Sequence, residues 1–192
     1  MPGAAGGLMR LARRPAPEAQ ERCELCGAPI GAEHRHVLEV ESRNVLCACR
    51  PCSILFDRGD GRLRLIGDRR VAVDLQVTDV MWEQLRLPVD VAFFVNRKAY
   101  YPSPMGPTES LLTLEAWNEL EQANPILRTL APDVEALLVN RVRGARQAWI
   151  VPIDECYALV GLIRTHWRGF TGGAEVWRQL AQFYERLDRR CR

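Results

Sequence analysis

Cys23, Cys26, Cys49 and Cys52 form two Cys-x-x-Cys pairs separated by 22 residues. Thiolates are soft donors, and four of them close a tetrahedral shell around zinc. Two sulfurs three positions apart reach one ion only where the backbone turns sharply. Gly27 follows Cys26 and accepts the positive φ that such a turn needs. The stretch CELCGAPIGAEHRHVLEVESRNVLCACRPC also carries Cys47, His34 and His36, so it holds five of the seven cysteines. A four-thiolate zinc site is the expectation. A rubredoxin-like iron site for electron transfer is the alternative, because tetrahedral sulfur suits either metal. Cys47 lies two residues before Cys49 and is a rival for its place; Cys49 is preferred because it completes the second Cys-x-x-Cys. His34 and His36 fall on one face of a strand. They read as part of a second metal site, as hydrogen-bonding supports for the first, or as surface histidines.

The elements that must position these ligands follow from the flanking residues. Residues 34–40 read as a strand, 41–44 as a turn and 45–48 as a returning strand. Pro51 suits the first turn of a helix. Knuckle, hairpin, then a Cys-x-x-Cys entering a helix is the order of a treble-clef or zinc-ribbon-like module, here over residues 21–58. Four thiolates leave no open coordination position, so zinc there is structural. It would contribute about 10–16 kcal/mol of apparent binding free energy to folding the module.

Catalytic signatures are weak, and none yields a catalytic residue. His36, Asn44 and the Cys49/Cys52 pair resemble the frame of HNH nucleases, which need a further histidine just after the last Cys-x-x-Cys. Ser53 stands there, so a degenerate HNH-type nuclease is an alternative that lacks a ligand. Asp154 and Glu155 are adjacent, and on a helix they point about 100° apart, not toward each other. Cys156 and His166 are too far apart along the same helix to form a nucleophile pair, and Cys191 reads as an exposed terminal thiol. The Gly169-to-Gly173 turn lacks the GK[ST] ending of a phosphate loop and reads as a simple helix cap.

The chain has 192 residues, 47% of them hydrophobic, and a formal net charge of +2. That suffices for one ordinary domain plus a small metal module. It supplies no strong field to hold nucleic acid or an anionic membrane. No apolar run approaches the roughly 20 residues of a membrane span. No apolar segment follows Arg13 and Arg14, so a secretory signal is not expected and a reducing, cytoplasmic setting is. There, clustered cysteines are metal ligands more often than disulfides.

Residues 1–20, rich in Gly, Ala, Pro and Arg, are expected to be a disordered tail. Residues 62–190 are expected to form an α+β domain with a mostly antiparallel sheet and helices toward the C-terminus. Within it, residues 62–66 and 71–77 read as a strand pair. Asp79 caps a short helix, and residues 89–95 form a buried central strand. Residues 100–110, opened by Tyr100 and Tyr101 and closed by Ser110, hold three prolines and read as a rigid non-helical loop suited to binding. Thr113 caps a helix bearing Leu114, Trp117 and Leu120. Residues 134–142 and 147–151 pair as a hairpin, and helices follow Pro152 and Gly173.

The cysteine stretch, with AFFV, YYPSPMGPTESLL, PDVEALLVNRV and VPIDECYALVGLIRTHWRGFTGG, resembles an uncharacterised bacterial family encoded near nickel–iron uptake hydrogenases, over about residues 21–190. The resemblance implies a cytoplasmic context and a hydrogenase-linked accessory role. The expected function is a non-enzymatic zinc-binding accessory or adaptor protein. Its expected partners are hydrogenase subunits or maturation factors, with neither nucleic acid nor membrane among them.

Overall fold

The computed structural model describes residues 21–57, 61–111, 114–169 and 171–191. The expected tail, residues 58–60 at the expected module boundary, and the Thr113 cap lie outside the described residues.

The cysteine stretch builds a three-stranded antiparallel sheet of β1 (Arg35–Glu39), β2 (Asn44–Ala48) and β3 (Leu63–Leu65), in the order β2-β1-β3. The β1–β2 turn is closed by Arg43 at φ +61, its N–H donating to the Glu39 carbonyl at 2.8 Å. Helix α1 (Arg50–Leu55) starts directly after Cys49, with Pro51 in its first turn.

A six-stranded antiparallel sheet follows, in the order β4-β9-β8-β5-β6-β7. Its strands are β4 (Val71–Ala72), β5 (Val91–Val95), β6 (Lys98–Ser103), β7 (Gly106–Glu109), β8 (Glu135–Asn140) and β9 (Gln147–Pro152). The continuous apolar run of β5 is explained by cover on both faces. Val91, Phe93 and Val95 join one core cluster, while Ala92 and Phe94 join the other. The alternation repeats in β8, where Ala136 and Leu138 oppose Leu137 and Val139. Helices α4 (Ile153–His166) and α5 (Gly173–Arg190) cover the first face. Helix α5 lays down Val176, Leu180, Phe183, Tyr184 and Leu187 as a buried stripe. Each of the aliphatic and phenylalanine side chains among them contributes about 1.5–3 kcal/mol by leaving water. The second face is covered by α2 (Asp79–Gln84), α3 (Leu114–Ala123) and a 3₁₀ turn (Pro125–Thr129). No described helix is long and apolar enough to cross a membrane.

Three local expectations are corrected. Residues 62–66 and 71–77 do not pair with each other: β3 pairs with β1, and β4 pairs with β9. The alternation of Val73, Leu75 and Val77 is genuine, since all three pack on the second core, but no strand lies beside most of this segment. Instead Asn124, 3% exposed, supplies the missing ladder. Its Oδ1 accepts from the Gln76 N–H at 2.7 Å, and its Nδ2 donates to the carbonyls of Gln76 and Leu120, each at 2.9 Å. Residues 100–110 are not a loop but mostly the β6–β7 hairpin, with Pro102 opposite Pro107. The prolines are tolerated because β7 is an edge strand and the pairing of β5 with β6 runs from Lys98 to Tyr100 and stops short of Pro102. The α2 cap is Thr78, whose hydroxyl accepts from the Met81 N–H at 3.2 Å, and Asp79 is the first helical residue.

The metal stretch is docked on the large sheet. Leu38 and Ile66 belong to the first core cluster, and Val45 packs against it. Asp133 clasps the junction. It accepts from Arg43 at 3.2 Å, from Arg64 at 2.8 Å and from Asn96 at 2.5 Å, while its own N–H donates to Asn96 Oδ1.

Candidate metal centre

Cys23, Cys26, Cys49 and Cys52 bring their sulfurs within 4.8 Å of one another. The Cys26 and Cys49 sulfurs stand 3.7 Å apart. A tetrahedron with metal–sulfur bonds of about 2.3 Å has an edge of about 3.8 Å, so this separation fits a shared ion. The first pair is held by a knuckle in which Gly27 N–H donates to the Cys23 carbonyl and Cys23 N–H to the Ala28 carbonyl, both at 2.8 Å. Gly27 takes φ +75, the left-handed conformation that a glycine reaches without strain. The second pair is set by α1: Cys49 precedes its first residue, and Cys52 lies within it.

The electrostatics of the four thiols point the same way. A backbone hydrogen bond from Cys49 is the main influence pulling the Cys23 thiol down to about 6. Hydrogen bonds with the Cys49 and Cys26 side chains, with some burial, push Cys52 up to about 12. One sulfur thus carries negative charge readily, and the crowding resists charging the last. A divalent cation at the centre removes that conflict.

Cys47 stays out of this group, and Cys49 is a member of it. Cys47 instead lies with His34 and His36, one ligand atom of each being within 4.8 Å of the others. His36 and Cys47 are directly paired across β1 and β2. His36 Nδ1 donates to Asp154 Oδ2 at 2.7 Å, and this bond, against some desolvation, raises the pKa of the imidazole above its ordinary value. No local signal announces that partnership, because 118 residues separate the two positions. His34 Nδ1 lies 2.9 Å from the Gly31 carbonyl.

Ser53 is buried, and its Oγ donates to the Arg50 carbonyl at 2.9 Å, so it serves the helix and offers the cluster nothing. Tyr100 stacks on Phe93 at 5.5 Å and donates to Glu109, a structural use of a residue first read as part of a binding loop. Cys156 is fully buried, and desolvation pushes its thiol well above the usual range. Cys191 is half-buried, not exposed. Glu155 receives Arg70 at 2.9 Å and Arg190 at 2.8 Å, fastening α4 to the chain before β4 and to the end of α5. Beside the thiolate cluster, Ile54 and Leu55 on α1 are 64% and 75% exposed.

A family model described as a family of unknown function (DUF5947) matches residues 22–191. The match takes in both groups of sulfur and nitrogen donors and the whole six-stranded sheet. No curated protein and no solved structure matches the chain.

Proposed function

The chain belongs to this family of unknown function, and we propose that it is a non-enzymatic zinc-binding accessory or adaptor protein. The single observation that carries this reading is the four-sulfur cluster, all members within 4.8 Å. Four thiolates complete a tetrahedral shell and leave no position for substrate or water, so an ion there fastens structure and performs no turnover. Zinc suits this duty because it has no redox chemistry and no geometric demand of its own beyond the four ligands. The residues fastened are those that carry α1, whose exposed Ile54 and Leu55 give an adaptor an apolar surface beside the cluster. In this reading the partner is a protein of the cytoplasm, a subunit or maturation factor of a nickel–iron hydrogenase.

The test is elemental analysis of the purified protein joined to affinity capture from cells that express a nickel–iron hydrogenase. Zinc in the protein and recovery of hydrogenase components support the proposal. A red, reducible protein carrying iron would move the cluster to electron transfer. Unaltered hydrogenase activity on deletion, with no such component captured, would remove the accessory role.

A further inference from the structure

A second cluster lies next to the first and differs from it in kind. Among the described residues, His34 Nε2 is a buried side-chain nitrogen with no hydrogen-bond partner, on a side chain only 10% exposed. Its Nδ1 is committed to the Gly31 carbonyl, which makes Nδ1 the N–H donor and leaves a lone pair on Nε2. A buried lone pair without a donor is costly unless something electropositive faces it. His36 is arranged in the same sense. Its Nδ1 donates to Asp154, so its Nε2 also carries a lone pair. The two rings meet edge to face, with centroids 4.8 Å apart. Cys47 completes the group from the neighbouring strand.

Three carboxylates surround these donors. Glu21 lies 3.6 Å from His34 Nδ1, Glu24 accepts from the Cys47 N–H at 2.6 Å, and Asp154 holds His36. A carboxylate or carbonyl on the far nitrogen of each imidazole is the arrangement that orients histidines toward a metal and raises their basicity. Asp154 keeps a further buried, unpartnered oxygen, Oδ1, at the same place.

We propose that His34, His36 and Cys47 form a second metal site for a divalent transition ion of borderline softness, of the zinc, cobalt and nickel class. Two neutral imidazoles and one thiolate suit such ions. Binding breaks the S–H bond of Cys47, forms a metal–sulfur bond and releases one proton to solvent. Three protein ligands leave a fourth position for water or for a donor brought by a partner, which the four-thiolate cluster lacks. A Cys–His–Asp relay for nucleophilic attack would use His36 alone and would leave the buried His34 nitrogen unexplained. Asp154 is a positioning residue in this assignment, since it acts on the metal through His36.

The assignment is independent of the proposed accessory role. It is tested on the full chain by counting bound metal and by cobalt titration with optical detection of thiolate and imidazole coordination. Two ions per chain are expected for the unaltered protein, and one for His34→Ala and for Cys47→Ser. Asp154→Asn should keep both sites and weaken cobalt at the second by about 10–100-fold. Asp154→Asn also separates the two readings, because Asp154 touches His36 and none of the four sulfurs. A single ion in the unaltered protein would overturn the assignment, as would two ions in His34→Ala or unchanged cobalt affinity in Asp154→Asn. Rapid alkylation of Cys47 with no second ion taken up would favour the nucleophile relay. Should His34→Ala lose both ions by unfolding, the Asp154→Asn titration decides alone.

Discussion

Asn124 replaces a strand, and its replacement by other residues measures what that substitution is worth. Asn124→Ala removes the acceptor for the Gln76 N–H and the donor to the Gln76 carbonyl. The Leu120 carbonyl keeps the Asn124 backbone N–H at 3.0 Å, so it is not orphaned. Two main-chain groups lose their partner at about 1–3 kcal/mol each when buried, and Gln76 itself is exposed, so water recovers part of this. The expected cost is about 2 kcal/mol. Asn124→Asp is nearly isosteric yet should be worse. The carboxylate still accepts from Gln76 N–H, but its second oxygen would face the carbonyls of Gln76 and Leu120, in place of Nδ2. A buried carboxylate facing two acceptors has its pKa raised, by roughly 3 units, or about 4 kcal/mol at neutral pH. A raised pKa means that the folded state binds more protons than the unfolded one, so stability rises as pH falls through the folded value. For a chain of this size each kcal/mol is worth about 2–4 °C. Thermal unfolding followed by circular dichroism should therefore fall by about 4–8 °C for Asn124→Ala and about 8–16 °C for Asn124→Asp at pH 7. Only the second should recover on acidification relative to the unaltered protein. An Asn124→Asp variant at least as stable as Asn124→Ala at pH 7 would refute the reasoning.

Asp133→Ala should cost about 2–4 kcal/mol, because Arg43, Arg64 and Asn96 all lose one acceptor. Asp133→Asn should cost less, and denaturant unfolding checks the order. Gly172→Ala should destabilise by more than about 1 kcal/mol, since a Cβ would meet Val176 Cγ1 at 2.8 Å and Trp167 at 3.1 Å on a residue at φ +82. Scanning calorimetry reads it, and an unchanged transition temperature would contradict the packing at the start of α5. Chelation should strip amide protection from residues 21–57 while β5, β8 and β9 stay protected, as hydrogen exchange would reveal. Because thiolates bind metal and thiols do not, the chelator concentration needed should fall as pH falls.

The thiolate cluster was legible because its signal is local. Two Cys-x-x-Cys pairs and Gly27 state their geometry within a few residues, and the hairpin between them follows from strand, turn and strand. Residues 89–95 announced burial on both faces because every position from Val91 to Val95 is apolar. The illegible parts depend on distant contacts. Nothing near residue 154 says that its carboxylate holds His36. The alternation at Val73, Leu75 and Val77 correctly gave a core-facing segment, but the side chain that completes its hydrogen bonds lies 48 residues on. The prolines of β6 and β7 masked a hairpin because the rule against proline in strands applies to central ladders, and these positions lie at an edge.

The 118-residue separation between His36 and Asp154 also sets an order in time. Both Cys-x-x-Cys pairs leave the ribosome within one short segment, so the four-thiolate cluster can take its ion while most of the large sheet is still unmade. Asp154 emerges about 6–24 s after His36, at the roughly 5–20 residues per second of synthesis. Until then the imidazole lacks the carboxylate that orients it. In the proposed reading the fastener is therefore completed during translation, whereas the His34–His36–Cys47 group matures only when the last third of the chain has closed over it.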